Sequence, residues 1–495
     1  MQDRNPWVTL PLWVYIPILV YVLHFTFLLP TIQFASYADS GVDVFCYLAD
    51  MLAKLAIAFP LFICRRPNIG IFHPLVLPAL FNVAKGIVKA PSLLLSPFHI
   101  ASPSPVGRQG LWQLTEVQVL LTGAYHDLLI CLGLVVLYIA YFSIPRLWTP
   151  ELKLSVSRMF VPKVLLVAAV GFLAGAYIIK TQGGITESIY AMGFGRFKQR
   201  DALGGGHFQV IATLLTTACY LWFGYRAKAK YNPFFWGLFA LSIVTMFVIT
   251  GSRSSILIQG LTIICFYILR TRKIPYTTIA LTGAVGVVLI GVLGRLRTSS
   301  YTEDELKWEV VTEVDVGASV ESAYAEIAAR PSGSHLIVGE AMERTGPLWG
   351  RTYLGAVFFF VPRFLWPDKP RGGGAYANSL LLNDTSLESA PAGGSGQSIP
   401  ISWQAEAYWN FYIFGVVVVA CLAGLFYKFM ACLFLRYQRW PIIWLVYMYS
   451  ILTFKPQSDG VIVFIQNLVL LLVVAILLRL WNPVSFSSSP KPSLA

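Results

Sequence analysis

Apolar stretches close to membrane-spanning length follow one another along almost the whole chain. There are about twelve of them, and an α-helix needs roughly 20 residues to cross a bilayer. Hydrophobic residues make up 56% of the chain and charged residues only 12%, and the mean hydropathy is +0.66. In soluble domains about a quarter of the residues are charged. The sequence therefore predicts an all-α polytopic membrane protein. The predicted spans are Trp7–Leu29, Val44–Cys64, Ile71–Val88, Val117–Ile144, Val164–Ile179, Phe208–Tyr225, Phe234–Thr250, Ile256–Leu269, Tyr276–Leu293, Ala407–Leu435, Pro441–Phe454 and Val461–Leu480.

Basic residues distinguish the two sides of the membrane. With the N-terminus inside, Lys and Arg are roughly twice as frequent in the inner loops as in the short outer loops, as the positive-inside rule requires. Both termini are therefore expected on the inner side. Four regions follow: spans one to nine within 1–294, a large outer loop with short helices over 295–406, spans ten to twelve within 407–481, and a disordered inner tail over 482–495.

Several common functions lack their sequence signals. The net charge of +13 is assigned to membrane anchoring, because no soluble segment has the basic run interleaved with aromatics that is typical of nucleic-acid binding. The seven cysteines lie within or at the ends of apolar spans and form no C-x-x-C pair. A phosphate-binding G-x-x-x-x-G-K-[ST] loop and a D-x-D pair are also absent from the sequence. We therefore expect no nucleic acid, no metal and no other cofactor, and outer-face chemistry would have to draw its energy from a substrate such as a lipid diphosphate.

One stretch of the outer loop is apolar but carries features that a spanning helix avoids. Tyr353–Val361 is too short to cross the bilayer, and the residues that follow contain three prolines and several charges. This stretch is expected to lie in the membrane surface or to enter and return. Arg363, Lys369 and Arg371 would then meet a lipid-linked phosphate at the headgroup level. The triplet Gly372–Gly374 is predicted to be a flexible loop rather than a phosphate cradle.

Other outer-face arginines extend this cationic set. Arg253 lies in the turn ITGSRSS, which is so short that its guanidinium stays at the membrane boundary. A phosphate-binding role is predicted for it, and a snorkelling membrane anchor is the alternative. Arg196 and Arg200 form a second cluster in GFGRFKQRD. Several guanidinium groups together bind phosphate oxygens bidentately and stabilise a departing diphosphate.

The carboxylate of Glu406 is the predicted catalytic base. It lies at the outer end of the tenth span, in SWQAEAYWNFYIFG, where partial burial among aromatic side chains would favour acceptance of a proton. The alternative is an ion pair with one of the outer arginines. Two further carboxylates lie within spans. Asp50 precedes Lys54 by four residues, the spacing of an intrahelical ion pair, whereas Asp127 has no obvious partner in the sequence.

Three motifs resemble those of a known family. GSRSS at a helix hairpin, VPRFLWPDKP in the outer loop and AEAYWNFYIFG at the start of the next span are similar to motifs of the polytopic O-antigen polymerases of the Wzy type and related oligosaccharide repeat-unit polymerases. The similarity in arrangement extends over most of the chain. Where that family has Asn-Phe-Gly, this chain has Asn410, Phe411 and Tyr412, with Gly415 following later.

The resemblance implies a GT-C-like helical fold in a bacterial inner membrane, with both termini cytoplasmic. It also implies an inverting, metal-independent glycosyl transfer on the periplasmic face, in the biosynthesis of O-antigen, and hence of lipopolysaccharide, or of a related surface polysaccharide. The donor would be a growing glycan on undecaprenyl diphosphate and the acceptor a lipid-linked repeat unit. Membrane lipid, a chain-length regulator and a flippase are further expected partners.

Roles for individual residues follow from the same resemblance. Arg253 would act in catalysis together with Glu406, which activates the acceptor hydroxyl. Trp366 and Trp403 would stack on sugar rings. The implied diphosphate-binding residues are Arg196, Arg200, Arg363, Lys369 and Arg371.

Two other functions remain open. An O-antigen ligase would transfer the same glycan to a lipid A core, and only the PDKP stretch separates it from a polymerase in sequence. A flippase or exporter would place ionisable residues along helix midsections to line a path. The predicted cations cluster on one face of the membrane, and this favours surface chemistry over transport.

Overall fold

A computed structural model describes most of the helical part of the chain. The described residues are 7–37, 40–66, 69–82, 116–156, 158–185, 187–188, 206–250, 253–284, 286, 288, 291–292, 317, 334–361, 365–377 and 401–482. The labelled helices are α1 (Leu12–Leu23), α2 (Leu29–Tyr37), α3 (Gly41–Ile63), α4 (Glu116–Ser143), α5 (Phe160–Thr181), α6 (Gly206–Tyr225), α7 (Pro233–Thr250), α8 (Arg253–Thr271), α9 (Arg351–Val357), α10 (Trp403–Arg436), α11 (Pro441–Leu452) and α12 (Ser458–Leu477). Shorter helical pieces cover 76–82, 276–284, 334–345 and 373–377.

Three local features are also present in the described residues. A 3-10 helix, Ala227–Tyr231, precedes α7. A π-helical turn, His24–Leu28, joins α1 to α2. Strands β1 (Lys153–Leu154) and β2 (Trp481–Asn482) pair antiparallel, with Lys153 opposite Asn482.

Length and apolarity confirm the prediction of an all-α multi-pass membrane protein. Among the described residues, eight helices are long and apolar enough to cross a membrane. Two shorter apolar helices, Ile256–Thr271 and Pro441–Leu452, coincide with predicted spans. The predicted spans Ile71–Val88 and Tyr276–Leu293 are helical over 76–82 and 276–284, and parts of both lie outside the described residues. The total of twelve spans and the GT-C-like arrangement stay predictions.

Helix α6 lies at the centre of the larger core. It contacts α5, α7, α8, α11 and α12, and 67% of its residues over Phe208–Tyr225 are buried. Leu215, Tyr220 and Leu221 are each at most 2% exposed. A second layer is formed by α4, which lies between α3 and α10. The segment 334–345 covers the outer part of α4 and α10, and α9 packs on α12. This arrangement brings the large outer loop onto the first turns of α10 and α12.

Close backbone contact joins α5 to α6. Gly171 is buried, and a Cβ atom at this position would run into the backbone nitrogen of Leu215. Gly175 follows four residues later, which completes the small-xxx-small pattern that lets helices in a membrane approach closely. Only glycine fits at position 171 without moving α6.

We expect Gly171→Val to destabilise the protein by about 1–3 kcal/mol or more, because the contacting atom is main chain and cannot rotate away. Gly237→Val is the matched control: Gly237 lies within α7, is exposed, and has no atom within 4 Å of an added Cβ. Thermal unfolding of both variants in the same detergent measures the difference. Equal shifts of the unfolding midpoint would mean that the contact does not hold α5 against α6.

Candidate functional site

A break in α10 organises the candidate site around Glu406. Phe411 (φ −145°, ψ 27°) and Tyr412 (φ 55°, ψ −151°) leave helical geometry, although the helix continues on both sides. The break exposes two carbonyl groups to outside donors. The backbone N–H of Leu348 donates to the Trp409 carbonyl (2.9 Å), and that of Trp349 donates to the Asn410 carbonyl (3.1 Å). These two bonds attach the segment 334–361 to the second turn of α10.

Tyr412 occupies a backbone conformation that glycine adopts far more easily. A side chain there costs about 1–3 kcal/mol unless the surroundings fix it. In the family that the sequence motifs of this chain resemble, this position is a glycine. The glycine of this chain, Gly415, lies where the two parts of the helix approach, and a Cβ atom there would run into the carbonyl oxygen of Ala407. Close packing between the two parts of the helix therefore explains why position 415 is a glycine.

The carboxylate of Glu406 is buried at the N-terminus of α12. Its side chain is 1% exposed. The Ser458 hydroxyl donates to Oε1 (2.5 Å) and the Ser458 backbone N–H donates to Oε2 (3.0 Å). Thr352 lies close enough to interact favourably with the same carboxylate. Burial disfavours a negative charge at this position, and the Ser458 donors and the positive end of the α12 dipole oppose that effect.

Two glycines of the predicted flexible triplet pack against carboxylates at the N-terminus of α12, Gly373 against Glu406 and Gly372 against Asp459. A Cβ atom on Gly373 would lie 2.7 Å from Oε1 of Glu406, and one on Gly372 would run into the Asp459 carboxylate. The Gly373 N–H donates to the Ser458 hydroxyl (3.0 Å). Residues 373–377 are helical, and Gly373 is buried. The flexible-loop interpretation was wrong for these two residues, because they pack closely against the carboxylates of Asp459 and Glu406.

A second hydrogen-bonded layer extends from Asn410, four residues after Glu406. The Asn410 Nδ2 group donates to the Thr352 hydroxyl (2.9 Å) and to the Glu406 carbonyl (2.8 Å). Two atoms nearby are buried without a hydrogen-bond partner in the described part of the chain, Asn410 Oδ1 and the Tyr353 hydroxyl. Burial, with a smaller contribution from the Glu406 charge, raises the pKa of Tyr353 well above its ordinary value. The phenol is therefore neutral at physiological pH.

Two of the predicted diphosphate-binding cations lie on one turn-rich segment. The Lys369 ammonium donates to the carbonyls of Phe359 (3.1 Å) and Val361 (2.7 Å), which closes the turn after α9. The Arg371 backbone N–H donates to the Tyr376 hydroxyl (3.3 Å). Arg351, which was not predicted, holds its guanidinium 5.6 Å from the centre of the same Tyr376 ring. The buried Tyr376 side chain therefore contacts both the Arg351 guanidinium and the Arg371 backbone.

The two tryptophans that were predicted to stack on sugar rings lie in different surroundings. Trp366 is half-buried and meets the Phe358 ring edge-on, with ring centroids 5.8 Å apart. Trp403 packs into the groove at Gly133 of α4 and contributes to the core. Arg196, Arg200 and Arg363 lie outside the described residues, as does the Arg253 side chain, although Arg253 begins α8.

The segment that carries Lys369 and Arg371 also presents an apolar face. Four large side chains on it are exposed, between 42% and 68% of their surface: Leu354, Val357, Phe360 and Leu365. The α9 helix has only seven residues, far below spanning length. This combination fits the predicted segment in the membrane surface.

A separate group of charges lies within the membrane-spanning part. Lys54 and Asp50 form the predicted ion pair (2.5 Å). Two hydrogen bonds hold α3 and α4 side by side. The Cys46 thiol donates to the Leu120 carbonyl, and the Tyr138 hydroxyl donates to the Ala56 carbonyl. Asp127 of α4 interacts electrostatically with both members of the pair. The Asp50 charge repels Asp127 and the Lys54 charge attracts it, so the neighbouring helix determines the electrostatic surroundings of Asp127.

The sequence interpretation missed Ser458, Thr352, Tyr353, Asn410 and Arg351. Two signals pointed towards this set. Ser458 and Asp459 stand directly before an apolar run, the pattern of a helix start. Asn410 follows Glu406 by four residues and therefore shares its helix face.

Comparison with known proteins does not assign a family. No family model, no curated protein and no solved structure matches the chain. Any functional conclusion therefore depends on the site itself and on the sequence motifs.

Ser458→Ala should lower the free energy of unfolding by about 1–3 kcal/mol, because it removes a donor from a buried carboxylate and an acceptor from the Gly373 N–H. Ser450→Ala is the control. Ser450 is also 0% exposed, but its hydroxyl bonds only the Tyr447 carbonyl of its own helix (2.7 Å). Thermal unfolding of both variants gives the comparison, and a loss no larger at Ser458 than at Ser450 would contradict the anchoring role of this serine.

Proposed function

We propose that the chain is a membrane glycosyltransferase that polymerises lipid-diphosphate-linked oligosaccharide repeat units on the outer face of the bacterial inner membrane. The observation that carries this proposal is the attachment of a cationic, apolar-faced segment to a buried carboxylate. That segment, residues 351–377, joins Glu406 and the α12 N-terminus through Thr352 and Gly373. A lipid tail, a diphosphate and a sugar hydroxyl would find matching groups within one small region.

The lipid and diphosphate parts of the donor match the surface of this segment. Leu354, Val357 and Phe360 offer exposed apolar area to a polyprenyl chain or to the surrounding bilayer. Lys369 and Arg371 follow directly in the chain, at the level where such a lipid carries its diphosphate. Arg253, Arg196, Arg200 and Arg363 would complete the cationic group. Several cations on one diphosphate favour its departure, because negative charge builds up on the leaving oxygen.

The reaction needs one nucleophile and one leaving group. An acceptor hydroxyl oxygen bonds to the anomeric carbon of the donor while the bond from that carbon to the diphosphate oxygen breaks. The bonding electron pair leaves with the diphosphate, and the hydroxyl proton passes to a base. Attack opposite the leaving group inverts the anomeric centre. Binding energy and oriented cations supply most of what such an in-line displacement requires.

The hydrogen bonds of Glu406 restrict how it serves as that base. Both carboxylate oxygens accept bonds from Ser458. Each carboxylate oxygen has a second lone pair, so an acceptor hydroxyl can bond Glu406 beside the Ser458 donors or in place of the Ser458 hydroxyl. In the proposed reaction the hydroxyl proton moves to Glu406, and the backbone N–H of Ser458 keeps the carboxylate in place throughout.

One observation favours a second candidate function. Asp50, Lys54 and Asp127 lie within membrane spans, and ionisable groups at that depth are characteristic of transport pathways. A flippase for lipid-linked oligosaccharides is therefore the alternative. A ligase that uses a lipid A core as acceptor would share the proposed site, and only the acceptor would distinguish it.

Purified protein in liposomes, supplied with lipid-diphosphate-linked repeat units from the source bacterium, should build a glycan ladder without added metal or nucleotide. Arg253→Ala, Arg371→Ala and Glu406→Gln should each slow polymerisation by about a hundredfold, the usual effect of removing one group that stabilises transition-state charge. Arg158→Ala is the control, since this exposed cation belongs to an inner loop and should retain full activity.

The same samples separate the competing functions. A product formed only when lipid A core is present would identify a ligase. If no glycan grows in any sample while labelled lipid-linked sugar crosses the bilayer, the protein is a transporter, and Asp127→Asn rather than Arg371→Ala should then stop the transfer.

A further inference from the structure

We infer that the Tyr353 hydroxyl and the Asn410 side-chain oxygen form a binding subsite for a saccharide hydroxyl group beside Glu406. Both atoms are buried, and neither has a hydrogen-bond partner within the described residues. Leaving such a group unpaired costs about 1–3 kcal/mol. Two of them in one polar centre indicate that a ligand or a bound water completes the hydrogen bonding.

The orientation of the Asn410 amide is fixed by its other bonds. Nδ2 donates to the Thr352 hydroxyl and to the Glu406 carbonyl, and both acceptors would lose a donor if the amide were turned. Oδ1 is therefore the unpaired end. Tyr353 is the next residue after Thr352, and it lies close enough to Glu406 for their charges to interact. Both residues therefore border Glu406: Asn410 through its bond to the Glu406 carbonyl, and Tyr353 through its electrostatic interaction with the Glu406 carboxylate.

The chemistry of these atoms selects the ligand. Asn410 Oδ1 only accepts, while the neutral Tyr353 phenol both donates and accepts. An alcohol provides the complementary donor and acceptor in one group. A phosphate provides no donor for Asn410 Oδ1, and the Glu406 charge opposes a second anion. Because this inference rests on the proposed function, we assign the subsite to the acceptor sugar, whose hydroxyl would then lie next to the predicted base.

Tyr353→Phe tests the subsite, because it removes only the hydroxyl. We expect affinity for the repeat-unit oligosaccharide, released from its lipid and titrated calorimetrically, to fall about three- to tenfold. We also expect the unfolding midpoint of the ligand-free protein to stay the same or to rise, because an unpaired buried hydroxyl is lost. Tyr447→Phe is the matched control: its buried hydroxyl donates to the Phe72 carbonyl (2.6 Å), so it should lower the midpoint and leave saccharide affinity unchanged.

The outcomes separate this inference from the proposed function. If Tyr353→Phe lowers the midpoint as Tyr447→Phe does and saccharide affinity is unaffected, the hydroxyl holds a structural water and the subsite does not exist. Absence of saccharide binding to the wild-type protein would also overturn the inference. If saccharide binding weakens in Tyr353→Phe but no glycan is polymerised, the subsite stands and the polymerase proposal fails.

Discussion

A carboxylate removed from water must be held by hydrogen-bond donors, and this requirement on Glu406 determines how α9 and Gly373 meet α10 and α12. Its donors are the hydroxyl and the backbone N–H of Ser458, the first residue of α12, while Thr352 of α9 interacts with it and Gly373 packs against it. One buried carboxyl group therefore joins α10 and α12 to two parts of the region 295–406. Loss of any of these donors leaves a buried anion short of partners, which costs more than the individual hydrogen bond is worth.

The break in α10 gives this arrangement its shape. It frees two carbonyls that accept from Leu348 and Trp349, and it places Tyr412 in a conformation that is unfavourable for any residue except glycine. Strain of this kind persists where the surrounding contacts determine the backbone completely, and such places are often functional sites. The polar centre of Glu406 and Asn410 lies directly before this break in the chain, whereas the charges of α3 and α4 belong to a separate layer.

Hydropathy predicted the spanning helices because the bilayer imposes a length on each of them, and the ion pair of Asp50 with Lys54 followed from helical spacing alone. Contacts between distant parts of the chain could not be predicted in this way. Ser458 lies 52 residues after Glu406, and no local pattern shows that its hydroxyl meets that carboxylate. The same holds for Asp127, because the charges that act on it are on another helix. Gly372 and Gly373 were misjudged because a glycine-rich sequence is compatible both with a mobile loop and with close packing against buried side chains.

The most direct test of the account is a cryo-EM structure of the protein in lipid nanodiscs with a non-hydrolysable phosphonate analogue of the lipid-linked repeat unit. The account predicts the phosphonate groups beside Lys369 and Arg371, the prenyl chain along the exposed face of residues 351–365, and a sugar hydroxyl within hydrogen-bond distance of Tyr353 and Asn410. Density for the analogue between α3 and α4, next to Asp127, with the Glu406 centre unchanged, would contradict a glycosyltransferase at the outer face and favour a transport pathway through the membrane.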